Sequence, residues 1–223
     1  SSDLLMPVIP YGEWLPDLPA HQNPGLITCK NVMSRTPESY GPFAGPSVYS
    51  GALNGDAYCR GAFAARDTDG NISLFAGTES TLEMLTSAST SWSDVSKSGG
   101  YSVPSDDGIK FVQFGSRVIA AMGLSDPLQS YVLGSSSEFA DLSAAAPNAR
   151  YIAVVREFVM VANTFDGTDG ARPERVWWSA INDPTDWPTP GSSDAAAKQS
   201  DFQDLVGDGG WNQGIVGGLG NAD

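Results

Sequence analysis

Hydrophobic positions along this chain come in short runs rather than in stripes. From Cys59 onward, segments such as "AFAAR", "ISLFAG", "FVQF" and "VIAAM" last only a few residues before Gly, Asp, Asn or Ser interrupts them. Runs of that length between turn residues predict strands. The best helical segment, "SDAAAKQSDFQDL" (Ser193 to Leu205), has a candidate cap at Asp194 but no apolar face at helical spacing. "YIAVV" and "FVMVA" are apolar without alternation, which predicts strands covered on both faces. With so little helix to provide cover, sheets must cover sheets.

The runs recur. One unit reads "CRGAFAARD", "NISLFAG", "TLEMLTS", "SWSDVS". A second reads "IKFVQFG", "RVIAAMG", "LQSYVLG", "FADLS", and a third "RYIAVVR", "FVMVAN", "RVWWSA", "DPTDWPT". Leu74, Ile119 and Met160 mark the second strand of each unit, at a spacing of roughly 40–45 residues that suits propeller blades. The echo between "SWSDVS" and "FADLS" falls at the same place in consecutive units. "GIVGGLG" reads as the inner strand of a fourth unit, its glycines allowing close packing. "DTDGN", "FGSR" and "VREF" occupy the first hairpin turn of each unit, and "DGTDG" a longer loop. A two-sheet sandwich is the structural alternative, but its strands should alternate more cleanly.

The first 58 residues differ. Pro7, Pro10, Pro16, Pro19 and Pro24 each fix φ, lack a donor and push the preceding residue toward extended geometry. An extended arm follows, and Trp14, Leu15, Leu18, Leu26 and Ile27 give it too much apolar surface for a free linker. Trp14, Leu15 and Leu18 are the candidate partner-binding residues, with Trp14 a main anchor. The expected organisation is an arm over 1–58 and an all-β, propeller-like domain over 59–223, incomplete at three to four blades.

Composition narrows the chemistry. The chain has 223 residues, 12 Lys and Arg against 26 Asp and Glu, and a formal net charge of −14. That balance opposes a grip on the nucleic-acid backbone, while an acidic wall would let a duplex slide past. No apolar stretch is long enough for a membrane helix, and "SSDLLMPVIP" lacks the features of a signal peptide. Cys29 and Cys59 match no zinc spacing; they could pair or stay free thiols in a reducing compartment. His21, the one histidine, has no nucleophile in a triad context. The Asp67–Asn71 loop lacks the Gly and Glu that a calcium loop needs and reads as a hairpin turn. No catalytic residue, metal or cofactor is expected.

The most specific stretch is "VWWSAINDPTDWP", Val176 to Pro188. Adjacent Trp177 and Trp178 on a strand point to opposite faces. One can wedge between blades; Trp178 is taken as the candidate partner-facing or sugar-binding aromatic. The order Ser, Asp, Trp is like a sialidase Asp-box turn, but without its spacing and Gly, and no acid pair supports a glycan hydrolase.

Together, the arm "NPGLITCKNVMSRTPESYGPFAG", the short all-β repeats and Trp178, Ser179, Asp183, Pro184 and Trp187 resemble a family of tailed-bacteriophage virion proteins. These are the tail-nozzle and packaged-DNA-stabilisation propellers of short-tailed phages. The resemblance implies a virion component made in the bacterial host cytoplasm. It would assemble as a homo-oligomeric ring, commonly a hexamer, with other tail and connector proteins. Such a ring lines the DNA channel, touches genomic DNA only in passing, retains the genome until ejection, and has no active site and no membrane partner. The alternative is a carbohydrate-binding propeller at a phage tail tip. Asp67, Asp69, Asp106, Asp107, Asp166 and Asp169 are the acidic turn residues expected to be exposed and available to such a channel.

Overall fold

A computed structural model describes residues 12–36, 39–43, 45, 47–54, 58–86, 88–207 and 210–218. It divides into two units, Ser1–Val48 and Tyr49–Asp223. Residues 49–54 go with the second because they hold its first sheet: Gly51 N donates to Thr90 O at 2.8 Å and Asn54 N to the Glu83 carboxylate at 3.0 Å.

The described residues of the first unit contain no helix, in keeping with their prolines, but they double back instead of running as one extended arm. Trp14 bridges Leu26, Leu15 N donates to Leu26 O at 2.9 Å, and Leu26 N donates to Glu13 O at 2.7 Å. Asn23 ties the bend: its Nδ2 donates to Leu15 O and its Oδ1 accepts from Gly25 N. Strands β1 (Val32–Thr36) and β2 (Ser39–Pro42) then form an antiparallel hairpin. Pro7 and Pro10 lie outside the described residues.

The second unit is all-β, built of three four-stranded antiparallel sheets, none closed on itself. The first holds β3 (Gly61–Arg66), β4 (Ile72–Gly77), β5 (Leu82–Thr86) and β6 (Ser93–Asp94). The second holds β7 (Lys110–Phe114), β8 (Arg117–Ala121), β9 (Gln129–Val132) and β10 (Ala140–Asp141). The third begins with β11 (Asn148–Val155), β12 (Phe158–Asp166) and β13 (Gly170–Trp178). Strands pair in chain order within each sheet. Leu74, Ile119 and Met160 all fall on second strands, as the repeat spacing predicts.

The echo belongs to the outermost strands. Val95 N donates to Leu82 O at 2.9 Å, and Leu142 N donates to Leu128 O at 2.8 Å, so each aliphatic residue is buried just past a two-residue strand. The two copies also touch: Phe139 N donates to Val95 O at 2.7 Å.

Strand β8 shows why the runs lack alternation. Val118 and Ala120 enter an apolar cluster with Phe75, Leu82 and Phe139, between the first and second sheets. Ile119 and Ala121 enter another with Ile152, Val159, Val161, Trp177 and Trp187, between the second and third. Successive residues point to opposite faces, and here both faces are covered, so the whole strand is apolar.

The third sheet departs from the sequence reading in three ways. "DPTDWPT" is a turn, not a fourth strand; Pro184 and Pro188 have no N–H to give a ladder. The fourth strand, β14 (Asp201–Asp204), comes after a helix α1 (Ser193–Lys198) capped by Ser192 rather than Asp194. "DGTDG" is the tight β12–β13 turn, since Asp166 pairs with Gly170. Beyond β14, residues 211–218 form no strand, and Leu219 and Gly220 of "GIVGGLG" lie outside the described residues. Its glycine still serves close packing: a Cβ at Gly217 would collide with the Val154 carbonyl.

First strands gather together. β3 lies against β7 and β7 against β11. Their starts and middles, with Gln213–Ile215, line a cavity of about 500 Å³.

Candidate functional site

The largest chemical concentration lies on the third sheet. Arg175 and Trp177 are two apart on β13, so they share a face. Both are buried. Arg175 Nε donates to Asp204 Oδ1 at 2.6 Å, Nη2 donates to Asp204 Oδ2 at 3.0 Å, and Nη1 donates to Asp169 Oδ2 at 2.6 Å. Asp166 Oδ2 stands 3.5 Å away. The guanidinium also lies 3.6 Å from the Phe202 ring centroid, a cation–π contact.

Local sequence explains the arrangement. Asp166 Oδ1 accepts from Thr168 N and Asp169 N, both at 2.8 Å, which folds the turn so that both carboxylates flank β13. β14 pairs Asp204 opposite Arg175 and Phe202 opposite Trp177. Hydrogen bonding from Arg175 holds the Asp204 carboxyl below its ordinary value, and Asp204 and Asp169 hold the arginine above its own.

Beside this cluster opens a cleft of about 540 Å³, lined by the β12–β13 turn, Trp177, Trp187, Phe202 and the 144–146 loop. Among the described residues, Trp177 Nε1 and Asp166 Oδ2 are buried without a hydrogen-bond partner, Asp166 Oδ2 lying 3.5 Å from Arg175. Arg175 gives three N–H groups to its own carboxylates. The cleft is lined by carboxylates and aromatic walls rather than by a nucleophile with an adjacent base.

The residues singled out from sequence lie elsewhere. Trp14 and Leu18 are exposed in the first unit at 54% and 42%, with Leu15 half-buried. Exposed Ile27, Val32, Met33 and Phe43 extend that apolar surface. Trp178 is half-buried on the opposite face from Trp177, its Nε1 donating to Gln199 O at 2.8 Å. The other motif residues serve internal structure. Val159 N donates to Ser179 Oγ, Thr185 donates twice to Asp183, and Trp187 Nε1 donates to Pro184 O. Those bonds seat Trp187 in the second apolar cluster.

Of the six acidic turn residues, Asp69, Asp106 and Asp169 are exposed as expected, whereas Asp67 and Asp166 are half-buried and Asp107 is buried. Asp107 is buried against Arg150, with Nε 3.1 Å from its Oδ1, and Asp166 and Asp169 belong to Arg175. Asp67 is engaged by its own loop, accepting from Asp69 N, Asn71 N and Asn71 Nδ2. Asp69 and Asp106 are exposed. Among the described residues, the cavity among first strands carries Arg60 and Lys110 and no carboxylate. Arg60 is tied to Glu79 and to the Val103 and Pro104 carbonyls.

Arg175, Trp177, Phe165 and Asp166 were missed as a site. The charged residue two before a tryptophan, on one face of an apolar strand, is the sequence feature that could have found them. The chain matches no known protein family and no curated protein.

Proposed function

We propose that this chain is a structural component of a bacteriophage tail or head-to-tail connector, acting as nozzle or hub in a homo-oligomeric ring, commonly a hexamer. In that role it lines or closes the DNA channel and retains the genome until ejection. The observation that carries the reading is the repeated unit: three consecutive four-stranded meanders, stacked face to face through two apolar clusters, with first strands gathered around one cavity. Such a stack fits a propeller sector. The sequence resemblance supplies the phage context, and the acidic balance suits a wall that DNA passes without adhering. The apolar surface of the first unit, around Trp14, Leu18 and Phe43, suits docking on neighbouring subunits or tail proteins.

Negative-stain imaging of the purified chain, alone and with its parent particle, tests this. Ring-shaped particles are expected, together with weak duplex binding at physiological salt. A lone monomer absent from the particle overturns the reading, and tight, steeply salt-dependent DNA binding overturns the passing-contact part of it.

A further inference from the structure

We infer that the second unit is completed by a second copy of this chain, the outer face of the third sheet in each copy covering the outer face of the first sheet in the other. The inference rests on reading the three sheets as a propeller sector, and not on the tail role. In the third sheet, Ile152, Val159, Val161 and Trp177 turn toward the second sheet. Alternate residues turn the other way. There Ala153, Met160 and Trp178 form one row across β11–β13, with Ala162 and Val176 in the next and Phe158 at the end. All are apolar, and none enters either apolar cluster. Phe158, Met160, Val176 and Trp178 keep part of their surface open to solvent. Residues 212–217 meet the sheet at Asn212, which donates to the Arg175 carbonyl, and at Gly217, which backs onto that of Val154. On β8 the same lack of alternation goes with a sheet on each side; β12 has the pattern but, among the described residues, a sheet on one side alone.

The first sheet mirrors this. Phe63, Ala65 and Phe75 enter the first cluster, toward the second sheet. On its other face lie Ala62, Ala64, Ile72 and Leu74, the first three exposed and Leu74 half-buried. Residues 49–54 reach that face at Glu83, on β5. Both contacts inside the chain join the front of one sheet to the rear of the next. The third sheet has a front without a successor, and the first a rear without a predecessor. A second copy carries both, so two copies satisfy every end with the kind of contact that the chain already makes twice. The joint is heterologous, front to rear, and it closes because two sets of three sheets make six, within the about four to eight of a propeller. An unrelated partner would need two different faces to do the same.

Sedimentation equilibrium of the whole chain tests this, with Met160→Glu on the front face and Ile72→Glu on the rear. Ile72 is 50% exposed, so its variant should melt like the parent and carries the test if Met160→Glu fails to fold. The parent should contain an even number of copies, two where this joint is the sole contact. Each variant should weaken association at least about ten-fold, because it buries an unpaired charge. An equimolar mixture of the two should pair better than either alone, since the front of the Ile72→Glu copy and the rear of the Met160→Glu copy are both intact. A monomeric parent, association indifferent to Ile72→Glu as a front-to-front joint would be, or a mixture that pairs no better than its components overturns the inference. A ring-shaped particle that both variants still form would leave the tail role standing and this joint refuted. A pair lost in both variants but absent from any particle would do the reverse.

Discussion

The two contacts between sheets are built from different materials. Between the first and second sheets, Phe75, Tyr131 and Phe139 meet edge-on and tilted, with centroids 5.3–5.7 Å apart. Polar groups there are partnered: Tyr101 OH accepts from Lys97 N and lies 3.4 Å from the buried Gln129 Oε1, and Lys97 pairs with Asp141 at 2.7 Å. Between the second and third sheets the aliphatic residues and Trp187 leave a gap at one side, bordered by Asp166 and Asp169, two of the carboxylates around Arg175. One contact is specified by ring geometry; the other is largely aliphatic with two tryptophans, and charge is arranged beside it within the third sheet. A repeated fold therefore does not require a repeated core; each pair of faces needs only enough buried apolar area and satisfied polar groups.

Breaking the aromatic contact should have the largest effect. Phe139→Ala empties a fully buried site shared by both sheets and should cost about 3–5 kcal/mol. Denaturant melts should show it, with amide exchange rising first in β8 and β9. A loss below about 1 kcal/mol would mean that the rings are not the contact's main support.

Breaking the charged cluster within the third sheet should cost less. Arg175→Met leaves Asp166, Asp169 and Asp204 close together without their cation. Because those carboxylates are partly exposed, the expected loss is about 2–3 kcal/mol. Tryptophan emission should report it, since Trp177 and Trp187 both lie in this contact. The double variant with Phe139→Ala should be near-additive, the sites having no shared partners.

pH should separate the contacts with the smallest effect. Burial pushes the Tyr101 hydroxyl up to about 12. Its contribution is complete below the unfolded value near 10 and fades as pH rises through about 12. The Asp204 carboxyl is held low by Arg175, so its contribution is complete above the ordinary value of 3.8 and fades as pH falls through the folded one. Asp141, held low by Lys97, adds an acid-sensitive group to the first contact. Asp107 works the other way, because burial raises its carboxyl and acid favours its folded form. Alkali should thus disturb tyrosine near-ultraviolet dichroism before tryptophan emission. Simultaneous loss of both would count against separate contacts.

Much of this was legible in the chain. Short runs between turn residues located the first three strands of every sheet, and unbroken apolar runs foretold cover on two faces. The excursion from Ser179 to Ser200 was not legible, because "DFQD" carries one apolar residue and looks like the tail of a helix. Ladder pairing with β13 makes it a strand, a tertiary effect that overrides local preference. Trp177 and Trp178 pose a related difficulty. Alternation says that two adjacent tryptophans part company, but not which face holds the cleft.

The two-residue outer strands also decide how copies of this molecule can meet. β6 and β10 expose almost no free ladder, and β14 presents Asp201 and Asp204 along its four residues. Such rims cannot template an incoming strand, the route by which β-rich proteins extend into fibrils. β-augmentation is therefore blocked at the outer edge of all three sheets, and association must proceed through side chains. At those three outer edges, what the molecule offers a neighbour is side chains rather than backbone.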